Sequence, residues 1–198
     1  MTIKLKHKSL VVFAVAVLIT VGIGTVVYIY EIPPLIYSGW AKGLEKGIGG
    51  GPIPVNTFST APNLFNPNST KTNRLVAGGD PGLLYSGAIL DLSKGPLVLS
   101  VPAMGSRYYD IEFVDSRGDD FAYVGSRTTG GQAGNFLISG PGWQGTVPSG
   151  VTQMNSPDNS VILFGRVLVQ NATDVSVAYN LSIQIRVTPL SSWQPSSG

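Results

Sequence analysis

An uncharged apolar run near the N-terminus constrains this chain more than any other feature. Residues 10–30 contain 21 side chains without a charge. A helix of that length rises about 30 Å, which matches the hydrocarbon core of a bilayer. Because a helix satisfies its backbone polar groups internally, it can cross lipid alone. The run predicts a transmembrane helix.

The charges beside this run predict its orientation. Lys4, Lys6 and Lys8 precede it, and Glu31 follows it. Positive flanks remain in the cytoplasm. We therefore expect a single-pass plasma-membrane protein with its N-terminus in the cytoplasm and its C-terminal domain outside.

A cleaved signal peptide is the alternative. Gly22 and Gly24 are small residues at a permissible spacing for cleavage. The apolar run continues beyond them through Val26, Val27 and Ile29, which is longer than a secretory signal requires. These residues favour an uncleaved anchor.

Composition divides the chain into five predicted parts. They are a basic cytoplasmic flank (1–9), the transmembrane helix (10–30), a juxtamembrane helix with a Gly/Pro-rich spacer (31–70), an extracytoplasmic β domain (71–193) and a tail (194–198). The net charge of +2 belongs to the anchor, because from Glu31 onward ten Lys and Arg face eleven Asp and Glu. A domain without a basic stripe is a poor nucleic-acid binder.

The segment after the run contains two prolines, Pro33 and Pro34, which predict the end of the spanning helix. Apolar residues then recur every four positions, at Ile36, Trp40 and Leu44. This spacing predicts a short second helix that lies on the membrane surface or packs under the domain. Residues 47–70 are rich in Gly and Pro and predict a spacer that holds the domain clear of the lipid.

The outer domain shows about six short apolar segments broken by turn residues, the pattern of a β-sandwich or barrel. Segments 83–92 and 96–101 flank Ser93-Lys94-Gly95 and predict a hairpin. Segment 107–114 alternates apolar and polar residues, which predicts a strand with one buried face. After a turn at 115–119, the chain should continue as a paired strand.

Two further segments, 135–139 and 161–169, also predict strands. Residues 171–189 favour a helical turn followed by a strand, because Asp174 can cap a helix while the later residues are β-branched.

Several blocks of the outer domain resemble domain-of-unknown-function family 1254. The blocks are Leu90-Asp91-Leu92-Ser93-Lys94-Gly95-Pro96, Val101-Pro102, Arg107-Tyr108-Tyr109, Phe121-Ala122-Tyr123-Val124-Gly125 and Gly140-Pro141-Gly142-Trp143. The likeness covers roughly residues 81–193. It implies a jelly-roll-like antiparallel β-sandwich, which in that family is often accompanied by a second β domain or by a partner protein that carries one. We therefore expect a companion β-domain membrane protein.

Candidate chemistry is limited by what the outer domain lacks. It has no cysteine, and the single histidine, His7, lies on the cytoplasmic flank. A Ser-His-Asp triad is therefore excluded there, and we lean against an enzyme. The catalytic candidates that remain are Asp110 and Glu112, which share a strand face at a separation compatible with glycoside hydrolysis. The alternative is a solvated face, or ion pairs with Arg107 and Arg127.

No cofactor is predicted, except that Asp115, Asp119 and Asp120 around Gly118 could supply oxygen ligands for calcium. The spacing lacks a full EF-hand loop, and a hairpin turn explains it as well. Glycosylation candidates are Asn68, Asn171 and Asn180, each of which begins an Asn-x-Ser/Thr sequon. Four aromatic residues could form a sugar-stacking platform, although core packing is the more common role. They are Tyr108, Tyr109, Tyr123 and Trp143.

These observations favour a membrane-anchored envelope protein whose β-sandwich acts as a binding or assembly module. The alternative is a hydrolase that works through carboxylates or a bound metal on an envelope or carbohydrate substrate.

Overall fold

The computed structural model describes residues 7–66 and 79–195 as one long helix followed by a mostly β domain. The helices are α1 (His7–Glu45), a 3-10 turn (Ala172–Asp174) and α2 (Val175–Ser182). The strands are β1 (Ser59–Thr60), β2 (Leu83–Asp91), β3 (Leu97–Val101), β4 (Tyr109–Val114), β5 (Asp120–Gly125), β6 (Gly134–Ser139), β7 (Val151–Asn155), β8 (Ser160–Leu168) and β9 (Arg186–Pro189).

The strands form two sheets. The first has five strands in the order β1-β2-β8-β4-β5, and the second has four in the order β7-β6-β3-β9. Within the described part of the chain, the β6–β7 pair is parallel and the other pairs are antiparallel. The long β2 and β8 pair from Leu83↔Leu168 to Asp91↔Ser160, which makes them the centre of the first sheet.

One hydrophobic cluster takes residues from both sheets. The first sheet contributes alternate residues of β4, Tyr109, Ile111 and Phe113, each at most 1% exposed. The second sheet contributes Leu99 and Ile138, both fully buried. Alternation along the strands therefore directs one face of each sheet into a shared core. The predicted mostly β class is confirmed.

Helix α1 is continuous through Pro33 and Pro34, so the prediction that these prolines end the spanning helix is wrong. Each interior proline removes a backbone hydrogen bond and costs about 3 kcal/mol. Tertiary contacts offset this cost, because the last turns of α1 pack on the first sheet. Within it, Ser9–Glu45 is long and apolar enough to cross a membrane, and its most apolar window packs against nothing else in the described residues.

The end of α1 docks on the outer face of the five-stranded sheet. Tyr37 and Leu44 are 6% and 1% exposed, and the Trp40 ring meets Phe164 edge-on at 5.9 Å. Ile36, which the four-residue spacing had placed on the buried stripe, is 48% exposed. Of the two predicted arrangements, the end of α1 therefore takes the second and packs under the domain.

Residues 47–66 also pack on the domain, whereas the sequence predicted a spacer that holds the domain clear of the lipid. Ile53 and Ala61 are 3% and 7% exposed and belong to the cluster beneath α1. Strand β1 pairs with β2 at Ser59↔Gly87 and Thr60↔Ser86. The Gly/Pro content produces irregular backbone, but scattered apolar residues still hold it against the sheet.

The predicted hairpin between residues 83–92 and 96–101 is wrong, because β2 and β3 belong to different sheets. The connection carries the chain from one sheet to the other, and Leu92 and Leu97 are buried on either side of it. Local turn chemistry could not reveal this, because a hairpin and a crossover between sheets use similar turn residues. The described residues hold nine strands rather than six, with β1 and β7 unforeseen.

Other local predictions are confirmed. Strands β4 and β5 form the expected hairpin across the turn at 115–119, with the register Glu112↔Tyr123. The strands predicted at 135–139 and 161–169 correspond to β6 and β8. The segment 171–189 forms a 3-10 turn, the short helix α2 and then β9.

Candidate functional site

The outer face of the five-stranded sheet divides into an apolar half and a polar half. Ile89, Ile162 and Val114 occupy neighbouring strands and lie beneath α1. Further along the same strands, the register places Tyr85, Arg166 and Asp110 side by side on the same face. The end of α1 covers the apolar half, and in the polar half Phe65 packs on the Tyr85 ring while the Arg166 side chain stays 35% exposed.

Arg166 binds both carboxylates that the sequence singled out. Its Nη1 donates to Asp110 Oδ2 at 2.7 Å, and its Nη2 donates to Glu112 Oε2 at 2.9 Å. The predicted pairing with Arg107 or Arg127 is therefore wrong, because the partner comes from β8. The signal for Arg166 was its position in an apolar strand, which requires a compensating charge nearby.

Burial and hydrogen bonding compete in this Arg166 cluster, which comprises Arg166, Asp110 and Glu112. Burial raises the pKa of Glu112, although the hydrogen bond from Arg166 opposes the shift. Burial would lower the pKa of Arg166, but its bonds to the two carboxylates raise it above its usual value. Arg166 therefore stays charged, and Glu112 takes up a proton more readily than an exposed glutamate.

Tyr123 extends the cluster from β5. Its hydroxyl donates to Asp120 Oδ2 at 2.7 Å and lies 3.4 Å from Glu112 Oε1. The bond to Asp120 raises the pKa of Tyr123, so the phenol stays protonated. The ring is 41% exposed. The sheet thus presents a tyrosine in a fixed position at the surface.

A half-open depression of about 200 Å³ lies beside the cluster, at the first residues of β4 and the end of β5. Its lining includes Tyr108, Asp110, Tyr123, Gly125, Arg127 and Thr128. The Arg127 guanidinium lies over the Tyr108 ring, 5.7 Å from its centroid. Aromatic rings, a carboxylate and an arginine therefore meet in one concave surface.

Asp110, one of the residues that line the depression, carries an unusual carboxylate oxygen. Asp110 Oδ1 is buried, and no hydrogen-bond partner reaches it among the described residues. Burial raises the pKa of Tyr108, and the neighbouring Asp110 adds to that shift. Buried acceptors without a donor are rare and costly.

The family profile described as "Protein of unknown function (DUF1254)" matches residues 55–189, which is more than half of the chain. The chain belongs to the DUF1254 family. A search of curated proteins finds no match.

Two solved structures resemble this DUF1254 chain. The VPA0106 protein from Vibrio parahaemolyticus is 27% identical with a TM-score of 0.62, over 83% of this chain. An uncharacterised protein from Burkholderia cenocepacia is 10% identical with a TM-score of 0.42, over 68% of this chain. The chain spans only 37% and 34% of the length of these two proteins.

The three calcium candidates of the DUF1254 domain have separate roles. Asp115 is 5% exposed, and its Oδ1 accepts hydrogen bonds from the backbone N–H groups of Arg117 and Asp119. Asp120 instead binds Tyr123. Among the described residues, no group of three or more possible ligands gathers around one point. These contacts support the turn interpretation of the segment.

The sequons and aromatic candidates are only partly placed. Asn68 lies outside the described residues. Asn171 is exposed and caps the 3-10 turn through Thr173, and Asn180 is exposed on α2. Glycosylation stays a prediction for all three.

The four aromatic candidates occupy different places. Tyr109 lies in the hydrophobic core, Tyr108 and Tyr123 line the depression, and Trp143 lies outside its lining.

A second ion pair joins the 3-10 turn (Ala172–Asp174) to the residues just before β4. Arg107 binds both carboxylate oxygens of Asp174, at 2.6 and 2.7 Å, and also donates to the Leu168 carbonyl. The hydrogen bonds from Arg107 lower the pKa of Asp174 to about 2. Both side chains are nearly buried, at 11% and 13% exposure.

This pair predicts a specific pH dependence. A depressed folded-state pKa contributes stability above the ordinary aspartate pKa, and that contribution is lost as pH falls through the folded value. We expect Asp174→Asn to melt at a lower temperature than the parent at neutral pH. From about pH 5 down to about pH 2 its melting temperature should fall less than that of the parent. Thermal melts of both proteins test this, with exposed Asp119→Asn as control; equal acid slopes would contradict it.

Proposed function

We propose that this chain is a membrane-anchored binding module of the cell envelope, with its β domain outside the plasma membrane. The observation that carries this proposal is the division of the outer sheet face. The end of α1 covers the apolar half, whereas the polar half carries the depression and Tyr123, which is 41% exposed. An anchor that packs directly on the domain would hold this surface at a fixed height above the lipid.

The charges beside the anchor support an outside position for the domain. Lys4, Lys6 and Lys8 precede the apolar run, and positive flanks remain cytoplasmic. We further propose that the two sheets form the jelly-roll-like sandwich implied by the family, since both contribute to one hydrophobic cluster. We also propose the companion β-domain membrane protein that the family resemblance implies.

A site-specific crosslink tests the binding function. A photoreactive p-benzoylphenylalanine replaces Thr128 on the rim of the depression, and in a control it replaces Thr152, exposed on β7 of the other sheet. In intact cells, we expect a crosslinked product, polypeptide or glycan, from position 128 and none from 152. Equal products at both positions, or none at 128, would refute a binding role for this face.

The companion and the topology need their own measurement. External protease should digest the β domain in accessible envelopes, and a pull-down in mild detergent should recover a β-domain membrane protein. Complete protection of the domain would overturn the outside position. Recovery of no such protein would overturn the companion without affecting the anchor.

A carboxylate-dependent hydrolase is the second candidate, favoured by the raised pKa of Glu112 beside a depression. A raised pKa suits a general acid. The ion pairs that Arg166 forms with both carboxylates favour a binding role instead, because each carboxylate already has one oxygen engaged by the guanidinium. Glu112→Gln and Asp110→Asn should abolish any turnover of a glycoside substrate if the hydrolase is correct.

A further inference from the structure

We infer that the depression beside the Arg166 cluster binds one neutral sugar ring, free or at the end of a glycan. This inference rests on the proposed binding function and specifies its ligand. Size, shape, aromatic surface and charge balance each contribute to the argument.

The size of the depression fits one ring. Its volume is about 200 Å³. Pockets for drug-sized ligands are larger, ~300–1,000 Å³. A hexose ring is of the appropriate size, and a longer saccharide would have to extend into solvent through the open side.

The depression is built into the backbone. Gly125 lies opposite Asp110 and carries no side chain that could cover it. A Cβ at Gly125 would lie 2.5 Å from the Tyr109 carbonyl oxygen, so only glycine allows β5 to approach β4 this closely. The Gly125 carbonyl then accepts the N–H groups of Thr129 and Gly130 at 2.9 and 3.0 Å. These bonds hold the rim that carries Arg127 and Thr128.

The aromatic surface is pre-positioned. Tyr123 is 41% exposed, and the hydrogen bond that its hydroxyl donates to Asp120 holds the ring in place. Tyrosine offers a flat apolar face with a polar tip, and the negative face of its ring attracts the slightly positive C–H groups of a sugar. A rigid ring loses little conformational entropy when a ligand stacks on it.

The charges favour a neutral ligand with many hydroxyl groups. The charged residues that line the depression are one guanidinium, Arg127, and one carboxylate, Asp110, which is also paired with Arg166, so neither sign dominates. Arg127 and Thr128 offer donors, and Asp110 Oδ1 is an acceptor without a hydrogen-bond partner in the described structure. Sugar hydroxyls both donate and accept, unlike an ammonium or a phosphate.

Saturation-transfer NMR on the full chain tests this inference. The chain is held in polyoxyethylene-ether micelles, because a sugar-based detergent would compete. The probes are methyl α-glucoside, methyl β-galactoside and methyl N-acetyl-β-glucosaminide, with tetramethylammonium and inorganic phosphate as charged comparators. We expect at least one glycoside to bind with a dissociation constant on the order of 1 mM. A matching trisaccharide that binds more tightly would identify a glycan end; equal binding would identify a single ring.

Variants localise the binding. Tyr123→Ala should weaken it roughly tenfold, whereas Tyr123→Phe, which keeps the ring but loses the bond to Asp120 that fixes it, should weaken it less. Arg127→Ala should weaken it, and Arg186→Ala, an exposed arginine on β9, should not. The inference is overturned if no glycoside binds to folded protein, if a charged comparator binds more tightly, or if Tyr123→Ala has no effect.

Failure of this inference is distinguishable from failure of the binding function. A crosslink at position 128 without glycoside binding would leave a binding surface whose ligand is not a sugar. Absence of both would remove the binding function itself.

Discussion

Leu44→Asp should release the end of α1 from the β domain. Leu44 is 1% exposed and packs over Gly87, where an added Cβ would lie 2.7 Å from Leu44 Cδ2. Loss of a buried leucine alone costs ~2–5 kcal/mol, and an unpaired buried carboxylate adds to this cost. The docked segment should therefore detach, and the apolar half of the outer face should become exposed.

The fluorescence of Trp40 reports this release. In a background of Trp143→Phe and Trp193→Phe, Trp40 is the remaining tryptophan. Its emission should shift to the red in Leu44→Asp, because the ring loses its contact with Phe164. Lys42→Asp, at an exposed position on the same helix, is the control and should leave the emission unchanged. An unshifted spectrum in Leu44→Asp would contradict the docking.

Arg166→Met should be the most damaging substitution in the candidate site. It leaves Asp110 and Glu112, which are 16% and 17% exposed, without their counter-charge. We expect a loss of about 3 kcal/mol, the lower end for a broken buried pair, because Arg166 itself is 35% exposed. Chemical denaturation at neutral pH measures this loss.

The cause of this loss can be separated from simple packing. Adding Asp110→Asn and Glu112→Gln to Arg166→Met removes the uncompensated charges, so the triple variant should be more stable than the single one. The single variant should also recover stability as the pH falls through the raised pKa of Glu112, since protonation of that carboxylate removes one of the uncompensated charges. If the triple variant is no more stable, the Arg166 cluster does not act through charge.

Local patterns were reliable where the physical cause is local. Strict alternation in β4 correctly separated the buried Tyr109, Ile111 and Phe113 from the outward-facing Asp110 and Glu112. The turn between β4 and β5 was predictable because Asp115 caps its own loop. Each of these features depends on residues within a few positions of one another.

Long-range features were predicted poorly. The sequence suggested either a solvated face or pairing with Arg107 and Arg127 for the two carboxylates. The strand register instead brings Arg166 to them from more than fifty positions away. Whether an apolar strand pairs with its sequence neighbour or crosses to another sheet depends on the whole packing. The supposed hairpin failed for this reason.

The sequence by itself determined the apolar helix, the mostly β class and the family, because helix length, alternation and ordered blocks of residues lie within the chain's own order. Only the tertiary structure decided that α1 continues through two prolines and docks on the sheet. It also decided that Arg166 joins Asp110 and Glu112 beside an open depression. These outcomes depend on free energies summed over distant residues, where packing outweighs the local cost of a proline or a buried charge.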